Sequence, residues 1–135
     1  VSGNETGPKG EAGVVAMRID TSQKKPKLET AWTLKKTLNQ PGAPTVSSNG
    51  HKDAIVWVIE SNKNDGDSGE DGVLHAYDAL TGQELYHSNM QAKRDVLKDA
   101  RKFSCPTVAN GRVYVGTEGI VAYGNLREKM AQEGK

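Results

Sequence analysis

The stretch Ala76–Ser88, "AYDALTGQELYHS", decides how the rest of the chain is read. It runs as a strand to Asp78, turns through Thr81 and Gly82, and resumes as a second strand carrying Tyr86. An aspartate at such a point accepts hydrogen bonds from the backbone amides just ahead of it, which makes an Asx-type turn. Thr81 can bond the same turn through its hydroxyl, and Gly82 can take the left-handed conformation that closes a hairpin loop. Tyr86 then returns on the outer strand as a large apolar plug between neighbouring sheets. The residue order is that of a hairpin made to pack against another sheet.

Outward from this hairpin the chain alternates short apolar runs with turns. Val1–Ala12 is polar and Gly-rich and reads as a loop or frayed terminus. "GVVAMRID" (Gly13–Asp20) reads as a strand, and "TSQKKPK" as a charged turn in which Pro26 interrupts any ladder. "LETAWTLKK" (Leu28–Lys36) has the composition of an amphipathic helix. It is read as a strand because it follows a strand and a turn and carries a Trp, as the opening stretch carries Tyr86. A short extended segment is expected at Pro44–Ser47, and a strand at Asp53–Ser61, where Ile, Val and Trp dominate. "NMQAKRDVLKDARK" has room for one or two helical turns. "FSCPTVANGRVYVGTEGIVAYG" returns to short strands split by Asn-Gly and Glu-Gly, and the tail 125–135 reads as a short exposed helix or as disordered.

An internal repeat underlies this pattern. "APTVSSNG" (Ala43–Gly50) matches "CPTVANG" (Cys105–Gly111) with one residue deleted. Each is followed by a β-branched strand and then by a Gly-led apolar strand, "GVLHAY" at Gly72 and "GIVAY" at Gly119. "GVVAM" at Gly13 is a third copy of that last element. The unit is four short strands in a meander, so the expected fold class is all-β and antiparallel. It divides the chain into a partial unit at 13–36, a full unit at 43–88 and a partial closing unit at 103–124, followed by a polar tail at 125–135.

"AYDALTGQELY" resembles the Ala-x-Asp-x-x-Thr-Gly-x-x-x-Trp repeat of the pyrroloquinoline-quinone-type, or quinoprotein-like, β-propellers. The repeat residues fall on Ala76, Asp78, Thr81 and Gly82, with Tyr86 where that family usually has Trp. "SCPTVANGRVYVGTEGIVAYG" is similar to the closing segment of such proteins, with Cys105 in place of the usual small residue. The resemblance implies antiparallel four-stranded blades in an incomplete ring, a C-terminal segment of roughly two to three blades of a larger propeller. It further implies a non-catalytic scaffold or protein-interaction module, partnered by the remaining blades or by other subunits, in an extracytoplasmic, periplasmic or membrane-associated setting. The alternative is a segment of a quinone-dependent dehydrogenase, which would need the quinone, calcium, an acid serving as base and a Trp stacked on the quinone. None of these is placed on this chain, and the vicinal Cys pair of many such enzymes is impossible with one Cys. No catalytic residue and no cofactor is therefore expected on this segment; the quinone and calcium enter only under the alternative, whose catalytic residues would lie outside this chain.

Composition narrows the field independently. A chain of 135 residues is of single-domain size, and its 15 Gly with only 5 % aromatics favour many turns over broad helical faces. With a net charge of +1, nothing argues for a nucleic-acid or membrane surface held by bulk charge. No apolar run is long enough to span a bilayer, and the first residues lack the charged-then-apolar pattern of an export signal. The single Cys105 excludes an internal disulfide and a Cys-based zinc site, and it reads as a buried, inert thiol.

Other candidates reduce to structural roles. Asp65, Asp67, Glu70 and Asp71, with Asn62 and Asn64, offer oxygen ligands of the kind calcium favours, but Gly66 breaks the EF-hand pattern. A solvated hairpin loop is expected there. His51, His75 and His87 have no metal-ligand spacing, and His75 reads as a packed or edge histidine. Trp32, Trp57 and Tyr86 are expected to pack between sheets and not to stack on a ligand. Lys24, Lys25 and Lys27 read as an exposed turn, and no Gly-rich phosphate loop is present.

Overall fold

The opening hairpin belongs to a four-stranded antiparallel meander of β4 (Thr45–Asn49), β5 (Lys52–Glu60), β6 (Val73–Asp78) and β7 (Glu84–His87), which pair in sequence order. The computed structural model describes residues 2–3, 13–61 and 71–124. Before the meander come β1 (Ser2–Gly3), β2 (Gly13–Asp20) and β3 (Lys27–Thr33), which form a three-stranded sheet with β2 in the middle. After it, a single-turn helical segment (Ser88–Gln91) and α1 (Ala92–Asp95) lead to a third sheet. That sheet holds β8 (Thr107–Ala109), β9 (Arg112–Gly116) and β10 (Ile120–Gly124), with β9 central. All strand pairs are antiparallel, so the described fold is all-β, and none of the three sheets closes on itself.

Two departures from the sequence reading have local causes. Val1–Ala12 reads as a loop, yet Ser2 and Gly3 pair with Val14 and Gly13 as an edge strand. The Ser2 hydroxyl also donates to the Gly42 carbonyl, which ties that edge to the connection before β4. The strand expected at Leu28–Lys36 stops at Thr33 because the backbone then turns toward the second sheet, with the Leu34 amide still bonded to the Val14 carbonyl at 2.9 Å. The Asn-Gly signal behaves as its chemistry demands. Asn110 and Gly111, with φ of +50° and +69°, form the tight turn between β8 and β9.

The second sheet is covered on both faces. On β5, Val56 and Val58 point one way and Trp57 and Ile59 the other, as strand alternation requires. Val56 and Val58, with Tyr77 of β6, pack with Val14 and Leu38 from the first sheet and its connection, and Trp32 and Leu34 lie against this cluster. Ile59 and Leu74 pack instead with Leu97 and Ala100 from the segment after α1 and with Val113 and Val115 of β9. Leu38, Val58, Leu74, Leu97 and Val115 are wholly buried. Each such side chain contributes about 1.5–3 kcal/mol relative to exposure, so two cores of this kind hold three small sheets together. Among the described residues no helix is long and apolar enough to cross a membrane.

The segment between β7 and β8 is part of the second core. The Gly72 amide donates to the Leu97 carbonyl at 2.8 Å, and any side chain at Gly72 would collide with Ala100. That close approach requires glycine at position 72.

Candidate functional site

The repeat motif builds its turn from within. Asp78 Oδ1 accepts hydrogen bonds from the Leu80 amide (3.0 Å), the Thr81 amide (2.8 Å) and the Thr81 hydroxyl (2.8 Å). The Thr81 hydroxyl oxygen in turn accepts from the Gln83 amide at 3.2 Å. The hydroxyl of Thr81 first, then its amide and that of Leu80, hold the Asp78 carboxyl below its ordinary range. Gly82 has φ of +73° and lies directly under the indole of Trp32. Trp32 reaches across from β3 and donates its Nε1–H to the Ala79 carbonyl at 2.9 Å. The motif residues Asp78, Thr81 and Gly82 are thus a docking platform for the preceding sheet, while Ala76 is buried within β6.

The next interface is built differently. Tyr86 is half-buried, and its hydroxyl donates to Asp95 Oδ2 at 2.8 Å. Asp95 is also gripped by the Arg94 guanidinium through both carboxylate oxygens, which holds its carboxyl low. Burial, then this carboxylate, push the Tyr86 phenol upward, and burial with the nearby Asp95 charge pushes Tyr123 up to about 12. Tyr123 donates to the Asp95 backbone carbonyl at 3.0 Å. Around these groups the second and third sheets diverge and leave a cleft of about 900 Å³. Trp57, Tyr86, Asp95, Val108, Val121 and Tyr123 are among its walls. Trp57 is half-buried there and donates its Nε1–H to the Ser47 hydroxyl at 2.8 Å.

A third feature was invisible in the sequence. His75 is wholly buried, with Nε2 2.9 Å from Glu60 Oε2 and Nδ1 3.0 Å from Glu84 Oε1. Its ring stacks on Tyr77 at 5.7 Å and lies 6.0 Å from the ring of His87. The other oxygen of Glu60 accepts the Asn39 amide at 2.7 Å. Burial opposes the charge on Glu60, but the bonds from His75 and Asn39 outweigh it and its carboxyl sits below the ordinary value. The Tyr77 hydroxyl is buried with no hydrogen-bond partner of good geometry, although the Glu84 carboxylate is close enough to act on it electrostatically. Burial first, then Glu84, push that phenol far up. The register brings these groups together, since Val58 pairs with His75 and Tyr77 with Glu84. Nothing in the local spacing of three residues on three strands could have found them.

The remaining candidates are placed as follows. Asp65, Asp67 and Glu70 lie outside the described residues, as does the tail 125–135, and Asp71 is exposed. Among the described residues no group of three or more His, Cys, Asp and Glu side chains is arranged to hold a metal. Lys24, Lys25 and Lys27 are exposed. The reading of Cys105 as a buried thiol is corrected: it is exposed, because the chain turns its neighbour Pro106 inward instead. Comparison with family models, curated proteins and solved structures gives no match for this chain.

Proposed function

We propose that this chain is a section of a quinoprotein-like β-propeller, working as a non-catalytic scaffold or protein-interaction module. Its partners are the remaining sheets of the same propeller or other protein subunits, and its setting is extracytoplasmic. The observation that carries this reading is the contrast between the middle sheet and the two end sheets. The middle sheet is covered on both faces, whereas the strands of the third sheet alternate between covered and exposed residues. On the first sheet Ile19 and Leu28 face each other across the register, each 64 % exposed, with Met17 45 % exposed nearby. Cross-strand apolar residues grouped in one exposed patch mark an interaction surface. The docking of Trp32 onto the Asp78–Gly82 platform supports the same reading, since it is a sheet-to-sheet joint that can be repeated around a ring.

The test is the solution state of Val1–Lys135 produced alone. Open sheet faces and edges should make it multimeric, aggregated or only partly folded. Sedimentation as a compact monomer with a sharp cooperative melt would overturn the proposal, leaving a self-sufficient β domain that shares only the repeat. Adding the quinone and calcium to the purified full-length protein separates scaffold from dehydrogenase segment: the scaffold reading expects no saturable change in the quinone absorbance.

A further inference from the structure

We propose that the cleft between the second and third sheets receives a tryptophan side chain presented by a partner protein. The two sheet-to-sheet joints start from equivalent positions. Trp32 on β3 faces Ala16, and Tyr86 on β7 faces Ala76, each one step before the same irregularity in register. At the first joint Trp32 crosses to the second sheet and covers Gly82 with its indole. At the second joint Tyr86 bonds Asp95 instead, and the cleft of about 900 Å³ lies beside it. Cavities that take small ligands span about 300–1,000 Å³, so an indole enters with the backbone that carries it.

The walls decide what fits. The cleft is continuous with the second core: Val113 belongs to that core, and Trp57, Val108, Val121 and Tyr123 pack against it. The polar atoms of its aromatic walls are already engaged. Trp57 donates to Ser47, Tyr86 to the Asp95 carboxylate and Tyr123 to the Asp95 carbonyl. These bonds fix the rings and leave ring surface and valine methyls for contact. Arg94 and Asp95 are the charged residues among the described walls, and Arg94 grips both oxygens of the carboxylate, so their charges offset. An uncharged occupant matches such a site. Aromatic rings pair favourably with aromatic walls, and a guanidinium held in place by a carboxylate stacks on a ring face but gains nothing from an aliphatic chain. Ser48 and Asn49, exposed at the rim, offer oxygen acceptors for an indole N–H. Tryptophan is also enriched among the residues that anchor protein interfaces. This contact belongs to the interaction module proposed above and rests on that half of the reading; it needs no propeller ring.

Saturation-transfer NMR on the full chain tests the proposal and tolerates monomer or multimer. The probes are N-acetyltryptophanamide, an uncharged indole, and N-acetylleucinamide beside it. The indole should bind, about fivefold more tightly than the leucine amide. Val108→Trp, which fills the cleft from β8, should abolish indole binding. Arg94→Lys keeps the charge but loses the planar stack, and should weaken binding about threefold. If circular dichroism shows that Val108→Trp does not fold, Val108→Phe takes its place. No transfer to the indole, equal affinity for the two amides, or binding unchanged in both variants would overturn the proposal. A compact monomer that still binds the indole would strike the propeller section and keep this contact. A multimer that does not bind it would do the reverse.

Discussion

Gly82 is held to glycine by two separate requirements, and they can be measured apart. Its φ of +73° is unfavourable for any L side chain, and a Cβ added there would sit 2.8 Å from the Trp32 ring. Gly50 has a similar φ of +62° with nothing within 4 Å, so it carries the first requirement without the second. Gly50→Ala should cost about 1–2 kcal/mol in denaturant titration, and Gly82→Ala clearly more, with Gly82→Val worse still. The excess at Gly82 should shrink in a Trp32→Ala background; equal costs at both glycines would refute the docking contact. Residues of this kind were legible because Asp78, Thr81 and Gly82 solve a local problem with local chemistry. His75 was not, because its two carboxylates arrive from other strands and their approach depends on register. Cys105 misled for the opposite reason: the general tendency of thiols to be buried was applied to a position where alternation puts Pro106 inside.

The Asp78 turn makes an element sensitive to acid. Its carboxyl is held below the ordinary value of 3.8 by bonds that exist only in the folded hairpin. A depressed folded value means the contribution is fully present above pH 3.8 and disappears as pH falls through the lower folded value. The β6–β7 hairpin should therefore loosen in acid below that point, and Asp78→Asn should flatten the acid limb of a pH–stability curve while lowering the plateau above it. An unchanged acid limb would show that the exposed carboxylate contributes nothing to the hairpin. Strand positions were readable because alternating apolar runs and Asn-Gly or Thr-Gly turns punctuate the sequence. Element ends were less so: Leu34 and Lys36 look like strand continuation but serve the crossing to the next sheet, and Ser2–Gly3 find a strand partner only once β2 exists.

At the level of the whole molecule, stability rests on two cores with different fillings. The first joins Val14 of the first sheet to Val58 and Tyr77 of the second, with Leu38 of the connection after β3 between them, while the second takes both Leu97 and Ala100 from the segment after α1. Leu97→Ala should therefore destabilise by about 2–5 kcal/mol despite lying outside any sheet, detected as a lowered denaturation midpoint. A loss close to zero would mean that the segment merely rests on the sheets. The all-β character was readable from the repeat, but Leu97 and Ala100 as core residues were not, because "DVLKDA" carries only one Leu and one Val amid charges. Hairpin contacts close over few residues, whereas the Thr45 hydroxyl bonds the Pro106 carbonyl across a separation of 61 residues. On a ribosome the order of synthesis then becomes the order of assembly. The joint made by Trp32 and Gly82 is complete once β7 has emerged. The second joint must wait for β9, and until then Ile59 and Leu74 stay open to solvent and to whatever helper the cell supplies.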